Sequence, residues 1–335
     1  MQKRPLLSII IPVYNAADFL PACLQSAALQ CPENSEIIAV EDGSTDASAQ
    51  VLTSLTSRYA HLRVITQPNQ GPAAARQAGV KACSGEYVLF LDADDALPAD
   101  YAAQLLQKAT QTKADLVLAP VARWNGQTPG PSAPTGSWFP ATVLQGAQKA
   151  VLFEDFDVVM PLYGKLIARH LLEQITDWGS AYRNGEDIPV SVALLARAEK
   201  IALVPTTCYI YRLRENSQSR QRAGQFAGLL DGFLRARQEL KKRGVYALFA
   251  RGFEYVCRAC LTSFIETYGL TQEEETLLAR ARVQLTVPCK IWHGRRWRFR
   301  MRQYGFELYL KYGFPYARLV SWLRRIYGCG RRNEK

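Results

Sequence analysis

Three aspartates, Asp92, Asp94 and Asp95, lie within four residues of one another. Carboxylates this close repel each other unless a positive charge lies among them. Their hard oxygens suit Mg²⁺ or Mn²⁺ rather than zinc, and such a cation can bridge substrate phosphates and stabilise a diphosphate leaving group. One of the three could instead cap a helix that begins near Pro98, because a cap needs a single acceptor. The spacing therefore predicts a divalent-cation site.

The chain before these aspartates alternates between short apolar strands and helices. Strands are predicted at 7–13, 36–40, 63–66 and 87–91, and helices at 17–29, 46–59, 72–83 and 99–110. Continuously apolar strands separated by helices predict a parallel sheet that is covered on both faces. Ligands bind beyond the carboxyl ends of such strands, where the polar segments 12–15, 41–46 and 92–95 lie. Residues 1–120 therefore predict a nucleotide-binding α/β domain.

The rest of the chain has a more helical pattern. A stretch rich in Gly, Pro, Ser and Thr at 124–140 predicts a loop or a boundary. Helices are predicted at 143–154, 162–174 and 188–198, strands at 201–204 and 209–212, and further helices from 221 to about 268.

Five motifs resemble the family 2 glycosyltransferases in their order and spacing. They are IIPVYN at 10–15, EDGSTD at 41–46, GPAAARQAG at 71–79, the segment 85–95, and GED at 185–187 with YGKL at 163–166 ahead of it. The resemblance covers roughly residues 6–220 and implies the GT-A fold, a Rossmann-like, mostly parallel sheet flanked by helices, with a helical C-terminal extension. It also implies a nucleotide-sugar donor and inversion at the anomeric carbon. The expected domains are 1–220 for catalysis, with about 1–120 for the donor and about 121–220 for the acceptor, and 221–335 for the extension.

The resemblance assigns donor-binding roles to individual positions. Pro12 and Val13 would line the base pocket, and Asp42 would hydrogen-bond the edge of the base. Arg76 would approach the nucleotide and its phosphates. Two residues of the segment 92–95, called the acidic turn below, would complete the site. Asp92 would lie near the ribose or the metal, and Asp94 would be a ligand of Mn²⁺ or Mg²⁺.

The same resemblance implies that Asp187 is the general base. An acceptor hydroxyl must lose its proton as it attacks opposite the departing diphosphate, and a carboxylate on the acceptor side can take that proton. Glu186 and Asp187 could also be stabilised at the N-terminus of a helix, and both roles can hold at once.

The chain departs from the family pattern in several places. Glu41 and Gln77 stand where the family usually has Asp and Asn, and the stretch 211–217 lacks the His that binds metal in some members. Arg212 and Arg214 could clasp the diphosphate instead, because guanidinium groups match phosphate geometry. The Gln-x-x-Arg-Trp element of the processive members is also missing, which favours transfer of one sugar per encounter.

The net charge of +11 is concentrated in a tail that begins at about residue 290. This tail holds 13 of the 41 basic residues and 2 of the 30 acidic residues, so that residues 1–289 contain 28 of each and are neutral. Eleven of its 46 residues are aromatic, and Pro315 can open a short amphipathic helix with one basic face. Such a helix suits an anionic membrane surface. The alternatives are aromatics packed on the catalytic domain or, least favoured, nucleic-acid binding.

These observations predict an inverting glycosyltransferase that moves one sugar from a nucleotide sugar, with a UDP-sugar favoured. The acceptor would be a hydroxyl of a cell-surface polysaccharide, a lipopolysaccharide or another lipid-linked glycan precursor. A sugar-phosphate nucleotidyltransferase is the alternative enzyme, although it would normally carry a Gly-rich phosphate loop where this chain has PVYN. A non-enzymatic membrane-surface binding protein would leave the aspartates without a task.

The expected location is the cytoplasm, peripherally on the inner face of the cell membrane. The chain opens directly on a strand-like segment without a signal peptide, and no apolar run reaches the ~20 residues that span a bilayer. Its eight cysteines are scattered, as is typical of a reducing compartment. We expect no nucleic-acid partner.

Overall fold

The computed structural model describes residues 5–32, 34–125, 143–179, 184–213 and 224–285. The predictions for Arg214 and for the tail from about 290 lie outside these described residues. Within them, no helix is both long enough and apolar enough to cross a bilayer.

The N-terminal part of the chain alternates strands and helices as predicted. In chain order it contains β1 (Leu7–Val13), α1 (Leu20–Gln30), β2 (Ser35–Asp42), α2 (Ser48–Thr56), β3 (Leu62–Gln67), α3 (Pro72–Ala82), β4 (Tyr87–Phe90) and α4 (Tyr101–Thr112). The four strands are parallel and lie side by side in the order β3-β2-β1-β4. Every residue of β4, and every residue of β1 except Pro12, is buried, because helices cover both faces of the sheet.

The second part extends the same sheet. It contains β5 (Leu116–Leu118), β6 (Val121–Trp124), β7 (Val143–Gln145), a 3-10 helix (Gly146–Glu154), α5 (Phe156–Val159), β8 (Lys165–Ala168), α6 (Arg169–Glu173), α7 (Asp187–Arg197), β9 (Lys200–Leu203), β10 (Tyr209–Arg212), α8 (Gln225–Lys242), α9 (Tyr246–Tyr268) and α10 (Gln272–Leu285). Eight strands lie in the order β3-β2-β1-β4-β8-β5-β9-β7, and β6 pairs with β10 in a separate parallel ribbon. Strand β8 runs antiparallel to both of its neighbours.

Two of the sequence predictions for this part are wrong. Residues 162–174, predicted as one helix, form β8 followed by the short α6, and residues 143–154 form β7 followed by the 3-10 helix. All four residues of β8 are buried, and a buried apolar run this short has no periodicity that separates a strand from a helix. Residues 165–168 form a strand because they pair with β4 on one side and with β5 on the other. In the same way, β7 forms because it pairs with β9.

The sheet separates two hydrophobic cores. Ile9 and Ile11 point to the side covered by α1, α2 and α4, whereas Ile10 points to the side covered by α3, α7, α8 and α9, as the alternation of side chains along a strand requires. Helices α8 and α9 therefore extend the second core and are joined by a buried ion pair between Arg237 and Glu254. The six described cysteines are free. The predicted architecture of a mostly parallel sheet flanked by helices, with a helical C-terminal extension, is confirmed.

Candidate functional site

One cavity of about 880 Å³ opens at the carboxyl edge of the parallel strands. The ends of β1, β2 and β4 meet there because the strands are parallel and in register. Of the eight predicted site residues that the structure describes, all but Arg212 lie in its lining. The seven lining residues are Pro12, Val13, Asp42, Arg76, Asp92, Asp94 and Asp187. Their predicted roles stay predictions, and Arg214 lies outside the described residues.

Asp42 holds the loop that leads into α3. Its carboxylate accepts hydrogen bonds from Gln67 Nε2 at 2.7 Å, from the Gln70 N–H at 2.9 Å and from the Gly71 N–H at 2.8 Å. Gly71 has a φ of 89°, a backbone conformation that favours glycine. A carboxylate offers about four lone-pair positions, so Asp42 can anchor this loop and still accept a hydrogen bond from a nucleotide base.

Arg76, on the second turn of α3, joins two acidic groups across the cavity. Its Nη2 lies 3.0 Å from Asp92 Oδ1, and its Nη1 lies 2.7 Å from Asp187 Oδ1 and 3.5 Å from Glu186 Oε1. The Arg76 side chain is buried. Burial disfavours its charge, but the attraction of the three carboxylates outweighs that cost and raises the pKa of Arg76 above its usual value. Asp92 on one side and Glu186 and Asp187 on the other thus share one cation.

The acidic pair at the start of α7 is held away from bulk water. Burial raises the pKa of Glu186 to about 8, with repulsion from Asp187 acting in the same direction. Burial also raises the pKa of Asp187 above its usual value, while Arg76 opposes the rise. A carboxylate whose pKa is raised towards neutrality is a better proton acceptor than an exposed aspartate.

A glycine places this pair against α8. Gly185 has a φ of 84°, and a Cβ at this position would lie 2.5 Å from the carbonyl oxygen of Gly228. The carbonyl oxygen of Gly185 in turn fills the space beside Gly232, where a Cβ would lie 2.3 Å from it. A larger residue at Gly185 or Gly232 would push the loop off α8, so helix–loop contact sets the position of Asp187.

The three aspartates after β4 point in two directions. Asp92 and Asp94 line the cavity, but Asp95 is buried in the protein. Asp95 Oδ2 accepts a hydrogen bond from the Tyr209 hydroxyl at 2.8 Å, and Oδ1 accepts one from the Arg212 N–H at 2.7 Å. Burial raises the pKa of Asp95 to about 9. The idea that one of them caps the next helix is wrong, because α4 begins at Tyr101 and its N-cap residue is Asp100.

Strand β10 fixes this turn, which the sequence did not reveal. The Tyr209 hydroxyl also accepts the Asp92 N–H at 3.1 Å, and Arg212 Nε donates to the Asp94 carbonyl oxygen at 2.8 Å. The Arg212 guanidinium lies over the Trp124 ring, 4.5 Å from its centroid, where a cation–π contact holds it. Arg212 therefore positions the acidic turn, and its contact with a diphosphate stays a prediction.

The oxygen atoms that line the cavity suit a hard cation whose coordination shell is completed by the substrate. Within the described part of the chain, no group of three His, Cys, Asp or Glu side chains is arranged to hold a metal alone. Asp92 and Asp94 lie on one turn and both reach the cavity. Two carboxylates are a common protein contribution to a Mg²⁺ or Mn²⁺ site in which phosphates and water supply the other ligands. The residues therefore fit such an ion.

Comparison with known proteins agrees with the motifs. The model of Glycosyl transferase family 2 matches residues 8–165. "Glycosyltransferase GlyA" of Streptococcus pneumoniae serotype 4 is 30% identical over 64% of this chain and 31% of its own length. "Poly(ribitol-phosphate) beta-glucosyltransferase" of Bacillus spizizenii is 28% identical over 63% of this chain and 33% of its own length. The chain thus spans about a third of the length of each of these relatives, and the resemblance to the family is confirmed.

Solved structures share the fold. S. aureus TarS 1–349 superposes with a TM-score of 0.66 at 19% identity, over 83% of this chain and 79% of that one, and has also been crystallised with UDP-GlcNAc. Mannosyltransferase PcManGT from Pyrobaculum calidifontis, in complex with GDP-Man and Mn²⁺, superposes with a TM-score of 0.54 at 15% identity, over 98% of this chain and 89% of that one. These similarities confirm the predicted GT-A fold.

Proposed function

We propose that this chain, whose residues 8–165 belong to glycosyl transferase family 2, moves one sugar from a nucleotide-diphosphate sugar to a hydroxyl of a glycan, with inversion at the anomeric carbon. The observation that carries the proposal is the single cavity in which Arg76 touches Asp92 on one side and Asp187 on the other. A donor on the Asp92 side and an acceptor on the Asp187 side would meet within it.

The donor half of the cavity suits a nucleoside diphosphate. Pro12 and Val13 offer an apolar wall for the base, and Asp42 offers an acceptor for its polar edge. Asp92 and Asp94 would hold Mn²⁺ or Mg²⁺, which when bound neutralises charge on the departing diphosphate. A UDP-sugar is favoured, because the similarly folded TarS has been crystallised with UDP-GlcNAc.

The acceptor half supplies the proton acceptor. As the acceptor oxygen forms its bond to the anomeric carbon, the bond from that carbon to the diphosphate breaks, and the hydroxyl proton passes to Asp187. Arg76 orients the Asp187 carboxylate through the 2.7 Å contact. Attack from the face opposite the leaving group inverts the anomeric centre.

The acceptor would belong to a cell-surface polysaccharide, a lipopolysaccharide or another lipid-linked glycan precursor. A relative with 28% identity is named as a poly(ribitol-phosphate) glucosyltransferase, which supports a surface polymer. The enzyme would work in the cytoplasm, peripherally on the inner face of the membrane, where the basic and aromatic tail would meet anionic lipid. The full chain should sediment with vesicles containing anionic lipid, and reversal of Arg318, Arg324 and Arg325 to Glu should weaken sedimentation. Unchanged sedimentation of that variant would contradict the role of the tail.

Two substitutions separate donor binding from transfer. Asp94→Ala should remove the Mn²⁺-dependent part of the affinity for UDP-GlcNAc or another nucleotide sugar in titration calorimetry. Asp100→Asn, a change on the exposed side of the same loop, should leave this affinity unchanged. Asp187→Asn should retain donor binding but lose transfer and donor hydrolysis. Retained turnover in Asp187→Asn would exclude it as the base, and a wild-type chain that binds no nucleotide sugar with any divalent metal would refute the proposed function.

A further inference from the structure

Helix α9 contributes one face to the cavity, although it lies beyond the residues that match the family. Six cavity-lining residues recur along it at spacings of three or four positions or as direct neighbours: Ala259, Cys260, Ser263, Phe264, Thr267 and Tyr268. This is the spacing of one face of an α-helix. The cavity therefore extends beyond the part formed by β1, β2, β4 and α3, and the helical extension forms part of its wall.

The cavity wall exposes aromatic surface on α5 and α9. Among the described residues, five large hydrophobic side chains are exposed, and two of these, Phe156 at 47% and Tyr268 at 43%, line this cavity. The Tyr268 ring contacts Phe264 with 5.0 Å between centroids. The exposed Ser263 and Thr267, which precede Phe264 and Tyr268 in the chain, also line the cavity. Aromatic faces next to hydroxyl groups match a pyranose, whose C–H face is apolar and whose edge carries hydroxyls.

The charge of the cavity as a whole disfavours a further anionic occupant. The described lining contains six acidic side chains, those of Asp42, Asp92, Asp94, Asp157, Glu186 and Asp187, and two guanidinium groups. Even when Glu186, whose pKa burial raises, is protonated, the acids outnumber the cations. Both guanidinium groups are already in ion pairs, Arg76 as described above and Arg123 with Asp157 at 2.6 Å. A negative charge on the acceptor would meet a field of its own sign, whereas an uncharged sugar would not.

We propose that Phe156 and the α9 residues Ser263, Thr267 and Tyr268 form an acceptor subsite for an uncharged sugar ring. The ring would pack its apolar face on the aromatic side chains and direct its hydroxyl groups to Ser263 and Thr267. This subsite rests on the proposed function, and it narrows the acceptor to a glycan whose terminal sugar carries no phosphate or carboxylate.

Saturation-transfer NMR on the full chain tests the subsite with defined probes. These are the methyl β-glycosides of glucose, galactose and N-acetylglucosamine and, for each, the corresponding 6-phosphate. At least one neutral glycoside should bind, with signals at its ring C–H protons, and its 6-phosphate should bind at least about fivefold more weakly, which corresponds to about 1 kcal/mol. Tyr268→Leu and Phe156→Leu, which keep apolar bulk but remove the ring, should each weaken binding roughly threefold to tenfold.

Leu248→Ala is the matched control, because Leu248 lies on α9 and is 43% exposed but does not line the cavity. Its affinity for the neutral glycoside should equal that of the wild type. Equal binding by Tyr268→Leu, Phe156→Leu and Leu248→Ala, equal binding of the 6-phosphates, or binding of none of the three glycosides would overturn the subsite. UDP-GlcNAc and other nucleotide sugars are titrated in parallel to separate the two proposals. Binding of a nucleotide sugar without binding of a glycoside would refute only the subsite. Binding of a glycoside without binding of any nucleotide sugar would refute only the proposed function.

Discussion

The Tyr209 hydroxyl makes hydrogen bonds to two residues of the acidic turn. Tyr209→Phe removes only this hydroxyl and therefore tests how much it stabilises the turn. The hydroxyl donates to Asp95 Oδ2 at 2.8 Å and accepts the Asp92 N–H at 3.1 Å. Tyr209 and Asp95 are buried, so water cannot replace the lost partner without rearrangement. The ring keeps its stacking on Tyr163, at 4.7 Å between centroids, and no cavity larger than an oxygen atom is created.

The expected loss of stability follows from the two polar groups that lose the Tyr209 hydroxyl, the Asp92 N–H and Asp95 Oδ2. A buried donor or acceptor that loses its partner costs about 1–3 kcal/mol, and Asp95 keeps its bond from the Arg212 N–H. Tyr209→Phe should therefore lower the free energy of unfolding by about 2–4 kcal/mol and Tm by roughly 5–10 °C. The loosened turn should also raise the Kd of the donor in the presence of Mn²⁺.

Tyr101→Phe is the control for this substitution. Its ring meets that of Tyr209 edge-on at 6.5 Å and is equally buried, but its hydroxyl makes no hydrogen bond within the described structure. Removing that hydroxyl should leave stability unchanged or raise it. Urea unfolding followed by circular dichroism gives both free energies. If the two variants agree within about 0.5 kcal/mol, a difference as small as that of most surface substitutions, the support assigned to Tyr209 is refuted.

Three further predictions concern buried charges. Burial lowers the pKa of Lys165 from 10.5 to about 7, so the folded chain loses this proton at a lower pH than the unfolded chain, and the free energy of unfolding should rise between pH 7 and about 10.5. Lys165→Met should show a smaller rise when urea titrations are repeated across this range. An equal rise in the variant and the wild type would contradict the lowered pKa of Lys165. Glu254→Gln should lower the free energy of unfolding by about 3–5 kcal/mol, because Arg237 would lose its buried counter-charge, while the donor Kd measured by calorimetry on the folded protein stays the same. Arg76→Lys keeps the charge but cannot reach Asp92 and Asp187 with one planar group, so the donor Kd should rise about tenfold, and an unchanged Kd would show that the two contacts are not needed together.

The parallel half of the sheet could be predicted because the sequence of each strand is apolar enough to identify it as a buried strand. Strands β1, β2 and β4 read as continuous apolar runs, and helices of ordinary length separate them. The other half could be predicted only in part: the strands predicted at 201–204 and 209–212 correspond to β9 and β10, whereas β5, β7 and β8 were not predicted. Strands β5 and β7 have three residues each, and strands this short exist only through pairing with partners that are distant in the chain. Strand β8 is followed directly by α6, so that the two together resemble one helical segment in the sequence.

The candidate site was predicted in part for a related physical reason. The residues that follow strands in the parallel half must meet at one edge, and so the position of Asp42, Asp92 and Asp94 at one cavity follows from topology. The split of the acidic turn does not. Asp95 turns inward because Tyr209 and Arg212 provide its hydrogen bonds, and these residues lie more than 100 positions further along the chain.

The part of the cavity wall formed by α9 was missed because the pattern of α9 is ambiguous on its own. Phe264 and Cys260 are buried, whereas Ser263, Thr267 and Tyr268 on the same face are exposed, and in the sequence this mixture is indistinguishable from the edge of an ordinary amphipathic helix. The packing of α8 against Gly185 and of α9 against the 3-10 helix at Gly252 brings the helical extension to the side of the cavity where Asp187 lies. Under the proposed function, specificity for the acceptor would depend on two contacts that lie outside the donor motifs, the glycine contact that sets the distance of α8 from Asp187 and the aromatic face of α9. An enzyme of this fold could change its acceptor through α9 while every residue at the donor half stays the same.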